Sequence, residues 1–150
     1  MDKLRAAVPA LVEIDHIGST SIPGICAKPI LDLLGAGSGI AALDASRAAF
    51  EAMGYAWRGE YGLAGRRYLT KDDPASGERR IQLHCYNHGS SEIIRHLAFR
   101  DLLRADPQLA SEYCQMKRGC ARLHSDDSHT YADCKDAWIK RVEAMALAGR

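Results

Sequence analysis

The sequence predicts an α+β domain, and three observations carry that reading. Short apolar or β-branched runs, bounded by clusters of Gly, Pro, Asn and Asp, fill residues 11–86. From Ile93 to Met145 the apolar residues recur at intervals of three and four, the helical period. One further helix-type segment, between Gly39 and Gly54, interrupts the strand-rich half.

Residues 2–9 predict a short helix ended by Pro9, which cannot continue a helix ladder. Leu11, Val12, Ile14 and Ile17 predict a strand closing at Gly18. Residues 18–29 are rich in turn formers, and Pro29 forces an extended chain ahead of it. Residues 29–34 predict a mostly apolar strand, central in its sheet and buried on both faces. Gly37, Ser38 and Gly39 break it. Ile40, Leu43, Ala48, Phe50 and Met53 predict a helix that stops at Gly54.

Residues 55–57 and 67–70 predict strands, the second rich in β-favouring types. Residues 72–77 form the turn of a hairpin whose return strand is 79–86. After the breaker 87–91, Ser90 or Ser91 is available as a helix N-cap. Ile93, Ile94, Leu97, Ala98, Leu102 and Leu103 predict the first of three late helices. Asp106 and Pro107 end it and start the next, because proline is tolerated at a first helical position. Leu109, Tyr113, Met116 and Cys120 continue the period, and a polar break at 124–128 precedes a last helix containing Tyr131, Cys134, Trp138, Val142 and Met145.

At 150 residues the chain suits one domain, 1–150, burying roughly 70% of the surface its unfolded form exposes. Lys and Arg total 20 against 19 Asp and Glu, a net charge of +1. That balance lacks the basic excess of a nucleic-acid binder, although a local basic cluster can still hold a phosphorylated small molecule. Apolar runs are too short to span a bilayer, and residues 1–15 do not read as a secretion signal. A cytoplasmic protein is therefore expected, with its five cysteines reduced and acting as small hydrophobes. Oligomeric state is left open.

The most informative stretch runs from His16 to Asp32. His16-Ile17-Gly18-Ser19-Thr20-Ser21-Ile22-Pro23-Gly24 is followed by Ala27-Lys28-Pro29-Ile30-Leu31-Asp32. A strand ending in Gly18-Ser19 exposes backbone N–H groups where no side chain obstructs a phosphate. The hydroxyls of Ser19, Thr20 and Ser21 add donors, and Lys28 adds a mobile positive charge. Asp32, an ionisable residue inside an apolar strand, must meet a metal, a cation or hydrogen-bond donors. With phosphates beside it, the expected metal is Mg²⁺ or another divalent ion. The same composition also suits an ordinary turn-rich loop in which Asp32 caps a neighbouring backbone.

These blocks resemble the GrpB-like family. So do residues 79–86, the helix motif Arg95-His96-Leu97-Ala98-Phe99-Arg100-Asp101, and the pairs Tyr113…Lys117 and Tyr131…Lys135. The resemblance runs from about Val12 into the last helix, with an N-terminus shorter than is usual for the family. That family is regarded as part of the nucleotidyltransferase-fold superfamily, and relatives occur fused behind dephospho-CoA kinase. The resemblance implies a nucleotidyltransferase-like small mixed β-sheet with helices packed on it and a helical C-terminal third. In active nucleotidyltransferases the Gly-Ser turn contacts a nucleotide triphosphate. Paired acids on the next strand and a third acid further on hold two metals that bridge the transferring group.

Here the second position after Asp32 is Leu34, and the later strand offers Gln82 and His84 in place of a carboxylate. Residues 82 and 84 share a strand face, so both can converge on Asp32 if the strands are neighbours. His84 then reads as a metal ligand with Asp32, as a general base, or as a hydrogen-bonded sheet residue. Arg67 matches a basic position of the family and is the expected phosphate contact of the 66–80 hairpin. His16, Gln82, Arg100, Tyr113, Lys117, Tyr131 and Lys135 are expected along a substrate cleft. Tyr113 with Lys117, and Tyr131 with Lys135, each lie one helical turn apart. The expected function is binding of a nucleotide or phosphorylated small molecule, with transfer of a nucleotidyl or phosphoryl group to a small acceptor. The alternatives are a catalytically inactive ligand-binding domain and a metal-dependent hydrolase using Asp32 and His84.

Overall fold

Pro29 ends the turn-rich loop, and the chain enters β2 (Leu31–Gly37). This strand runs three residues past the predicted apolar segment because small residues are needed there. A Cβ on Gly37 would lie 2.7 Å from the Leu43 side chain, and one on Gly35 would lie 2.9 Å from Leu11. The structure, a computed structural model, describes residues 1–24, 26 and 29–149.

Among the described residues, α1 (Asp2–Ala7) precedes β1 (Leu11–Ile17) and a 3₁₀ turn at Ser19–Ser21. Two short helices, α2 (Ile40–Ala45) and α3 (Arg47–Ala52), follow β2. They replace the single helix predicted over 40–53. The Ser46 hydroxyl donates back to the Ala42 carbonyl at 2.8 Å, a bond that bends a helix. The strands β3 (Ala56–Trp57), β4 (Arg67–Asp72) and β5 (Arg79–Asn87) come next. The helices α4 (Ser91–Ala105), α5 (Pro107–Leu123) and α6 (Ser128–Ala148) complete the chain. Ser90, Asp106 and Asp127 cap these three, each side chain accepting from a backbone N–H of the first turn.

The strands form one open mixed sheet in the order β1-β2-β5-β4-β3. β2 and β5 are parallel, and the other neighbours are antiparallel. One face carries Leu33, Leu69, Leu83 and Cys85, covered by Leu4, Val8, Leu43 and Phe50 from the N-terminal helices. The other face carries Leu34, Ala36 and Tyr86 and is covered by Ile93 of α4. A helical cluster of Leu103, Leu109, Tyr113 and Val142 joins α4, α5 and α6, and Ile22 of the loop reaches into it. The expected α+β fold, with its small mixed sheet and helical C-terminal part, is the one observed.

The expectation of reduced cysteines is overturned. Cys26 is bonded to Cys114, and Cys120 to Cys134. The pairs lie 88 and 14 residues apart in sequence, so no short motif announces them. Cys85 is free and fully buried, and burial pushes its thiol up to about 12. No helix among the described residues is long and apolar enough to cross a membrane.

Candidate functional site

Parallel pairing of β2 with β5 sets Asp32 opposite Gln82 and Leu34 opposite His84. Because side chains alternate, Asp32, Gln82 and His84 all face the α4–α6 side of the sheet. The Asp32 side chain keeps 27% of its exposure and His84 17%, so the carboxylate meets an opening and is not sealed in the core. Gly18 makes this possible. Its φ is +74°, and a Cβ there would stand 2.6 Å from Asp32 Oδ2.

The turn after Gly18 divides its hydroxyls between structure and cleft. Ser21 donates to the Gly18 carbonyl at 2.5 Å and is buried, so it serves the turn and offers nothing to a ligand. Ser19 and Thr20 line an outer cavity of about 280 Å³ with Ile30, Asp32, Gln82, Lys117, Tyr131 and Lys135. Lys117 Nζ donates to Ser19 Oγ at 2.5 Å. The ammonium groups of Lys117 and Lys135 lie 5.1 and 4.2 Å from the ring centres of Tyr113 and Tyr131, within cation–π range. Each predicted Tyr–Lys pair thus acts as a unit. His16 does not line this cavity; its Nε2 is 2.8 Å from Thr20 Oγ1, bracing the turn. Burial, then Arg104, lowers its pKa. Lys28 lies outside the described residues.

An inner cavity of about 410 Å³ continues from the same Asp32, Gln82 and Lys135. Ile17, Ile22, Phe99, Tyr113 and Ile139 give it apolar walls, and His84, Arg95, His96, Arg100 and Glu143 give it polar ones. Burial pushes the Tyr113 phenol up. Arg100 braces the wall. It donates to the His16 carbonyl at 3.3 Å and pairs with Asp101 and Asp15 at 2.9 and 3.5 Å.

Arg95 donates to Glu92, to Glu143 and to His96 Nε2. Burial first, then the Arg95 charge, lowers the His96 pKa to about 3, so this imidazole is neutral. Sequence reasoning left Arg95, Phe99, Ile139 and Glu143 out of the cleft. The usable signal was spacing: 95 and 99, and 135, 139 and 143, repeat every four residues and share helix faces.

His84 stands between an arginine and the Asp32 carboxylate. Its Nδ1 lies 3.5 Å from Arg66 Nη1, the long end of a hydrogen bond, and an arginine can only donate. Nδ1 faces that donor, and Nε2 is 3.6 Å from Asp32 Oδ1. Arg67 departs furthest from expectation. It pairs with Cys85 in the register, on the opposite face from His84, and forks onto Asp44 at 2.6 and 3.1 Å. It is no phosphate contact of this cleft, because strand alternation turns it away.

Among the described residues no group of three or more His, Cys, Asp or Glu side chains could hold a metal ion. The donors present do not fit a metal held by the protein alone. One carboxylate beside hydroxyls does fit the way Mg²⁺ is held jointly with substrate phosphates.

Fold and cleft define a class: a small α+β domain with a lysine-flanked, hydroxyl-bearing turn set against one acidic strand residue. The chain belongs to the GrpB family, whose profile, described as "GrpB protein", matches residues 1–145. It is 44% identical over 138 residues to the UPF0157 protein YqkA of Bacillus subtilis, covering 92% of this chain and 39% of that one. The chain therefore spans less than half of that relative's length. A solved structure, "Crystal structure of conserved protein GrpB from Enterococcus faecalis", superposes with a TM-score of 0.88 at 40% identity, over 99% of this chain and 88% of the other. A Mycolicibacterium paratuberculosis protein named dephospho-CoA kinase is 28% identical over 86% of this chain and 37% of its own.

Proposed function

We propose that the cleft binds a phosphorylated small molecule, a nucleotide being the class that the resemblance to nucleotidyltransferases suggests. The observation that carries this is the Lys117–Ser19 contact in the lining of a cavity that also presents Thr20, Lys135 and Asp32. Two ammonium groups and two hydroxyls at a turn are the donor set that phosphate oxygens require. Asp32 would hold a Mg²⁺ ion arriving with those phosphates, and such an ion would offset their charge. Lys117, Lys135, Ser19 and Thr20 orient the phosphate oxygens, and the inner cavity accepts the organic part of the molecule.

Binding is favoured over group transfer by the carboxylates. Leu34, where a second acid would stand, is packed in the core, and Glu143 is committed to Arg95. Calorimetry and thermal-shift measurements with ATP, AMP and pyrophosphate, each with and without Mg²⁺, test the reading. At least one probe is expected to raise Tm with Mg²⁺ and to lose the effect in Asp32→Ala and in the Lys117→Ala/Lys135→Ala double variant. No shift with any probe at millimolar concentration overturns it. Pyrophosphate released from ATP in the presence of a small alcohol or amine acceptor would move the assignment to transfer.

A further inference from the structure

A third cavity, about 630 Å³ in volume, lies apart from Asp32, and the Cys26–Cys114 bond forms part of its wall. Arg104 and Arg118 line it too, with Ser111 and Gln115 as further polar groups. Arg118 stands one helical turn after Cys114 on α5, so both face the same way. Cys26 and Cys114 are each partly exposed, whereas Cys120 of the other bridge is buried at 3%. One disulfide is thus open to a cavity carrying positive charge, and the other is half-shielded, with Cys120 buried and Cys134 partly exposed.

We infer that this cavity is a thiol-exchange site for an anionic low-molecular-weight thiol, which it captures as a mixed disulfide on Cys26. The carboxylates of such a thiol pair with Arg104 and Arg118, and its thiolate attacks Cys26 Sγ. The Cys26–Cys114 bond breaks, the new sulfur–sulfur bond forms at Cys26, and Cys114 leaves as a thiolate facing Arg118, a charge that favours its departure. A second thiolate releases Cys26 by the same exchange, so two thiols are oxidised to one disulfide and the protein pair is reduced. The consequence for the cleft rests on the binding reading above. Cys114 lies one turn before Lys117 on α5, while Cys26 belongs to the loop that begins at Ser19. Breaking the bond removes the covalent tie between the two walls that Lys117 and Ser19 now join.

The test uses the whole oxidised protein, followed by intact mass and peptide mapping. Reduced glutathione is compared with cysteamine, a cationic thiol, at equal thiolate concentration and low salt. The expected result is a glutathionyl adduct on Cys26 forming about tenfold faster than the cysteamine adduct. The preference should shrink in 0.5 M salt, where the Debye length is about 4 Å, shrink in Arg118→Ala, and return in Arg118→Lys. Equal rates for the two thiols, a first adduct on any other cysteine, or five thiols alkylated before exposure each overturn the inference. Affinity for the nucleotide probes is then measured before and after exchange, with a fall of about fivefold expected. Adduct chemistry is read without any nucleotide, so failure of the binding reading and failure of the exchange site are separately visible.

Discussion

Lys117 Nζ and Ser19 Oγ, 98 residues apart in the chain, meet at 2.5 Å in the lining of the outer cavity. The contact joins the turn after β1 to the middle of α5, and both partners remain part-buried. An ammonium donating to a hydroxyl in this position is pre-placed to donate to a phosphate oxygen instead, at little cost in ordering.

Lys117→Met keeps the stem that packs against Tyr113 and removes the charge. Affinity for the phosphorylated probe is expected to fall about tenfold or more, with a change in folding stability below about 1 kcal/mol. Calorimetry and urea unfolding measure the two effects separately. A large loss of stability with unchanged affinity would make Lys117 a structural clamp.

Gly18 is required twice, by its positive φ and by the Asp32 carboxylate lying against it. Gly18→Ala is expected to destabilise the protein by about 1–3 kcal/mol. In an Asp32→Gly background the same substitution should cost less, because the Oδ2 and Cβ atoms it would meet at 2.6 and 2.9 Å are gone and only the backbone strain remains. Urea unfolding of the four members of this cycle reads the coupling; strict additivity would show that the close approach carries no energy.

His96 is held neutral in the folded protein, its pKa pressed to about 3 by burial and then by Arg95. Above pH 6.5 the folded and unfolded states are both neutral there, and its contribution to stability is complete. As pH falls from 6.5 towards 3, only the unfolded state takes up the proton, and stability drops by up to about 1.4 kcal/mol per pH unit. His16, also lowered, acts in the same direction. The carboxyls of Asp44, Asp73 and Asp127 sit below their usual 3.8 and lose their contributions only in stronger acid. Between pH 7 and 5, wild type should therefore lose about 1–2 kcal/mol more than His96→Gln. Parallel unfolding curves for the two proteins across that range would contradict a buried neutral imidazole.

Arg67→Ala tests the correction made by the sheet register. It breaks an exposed pair with Asp44, which is expected to cost less than about 1 kcal/mol, and leaves affinity for the phosphorylated probe unchanged. A tenfold loss of affinity would return Arg67 to the cleft.

Much of this architecture was readable along the chain because its causes are local. Asp106 followed by Pro107 starts a helix wherever it occurs, and a run such as Arg67-Tyr68-Leu69-Thr70 favours an extended backbone whatever it later pairs with. The turn at Gly18 and the acid at Asp32 were conspicuous for the same reason: each is costly unless something answers it. Ser46 was the local signal passed over, a hydroxyl able to bend the segment into α2 and α3.

The remaining features depend on neighbours distant in sequence. Strand register decided that Arg67 turns away from the cleft while Gln82 and His84 turn towards it, since a shift of one residue reverses every side chain. Helix packing brought Arg95 to Glu143 and Lys117 to Ser19, and folding placed Cys26 beside Cys114. Residue order dictated the strands, helices, caps and turn, because those answer to short-range backbone and side-chain preferences. Which charges share a cavity and which sulfurs bond were settled only when the folded layers met. Those outcomes are governed by distances in space that no interval along the chain encodes.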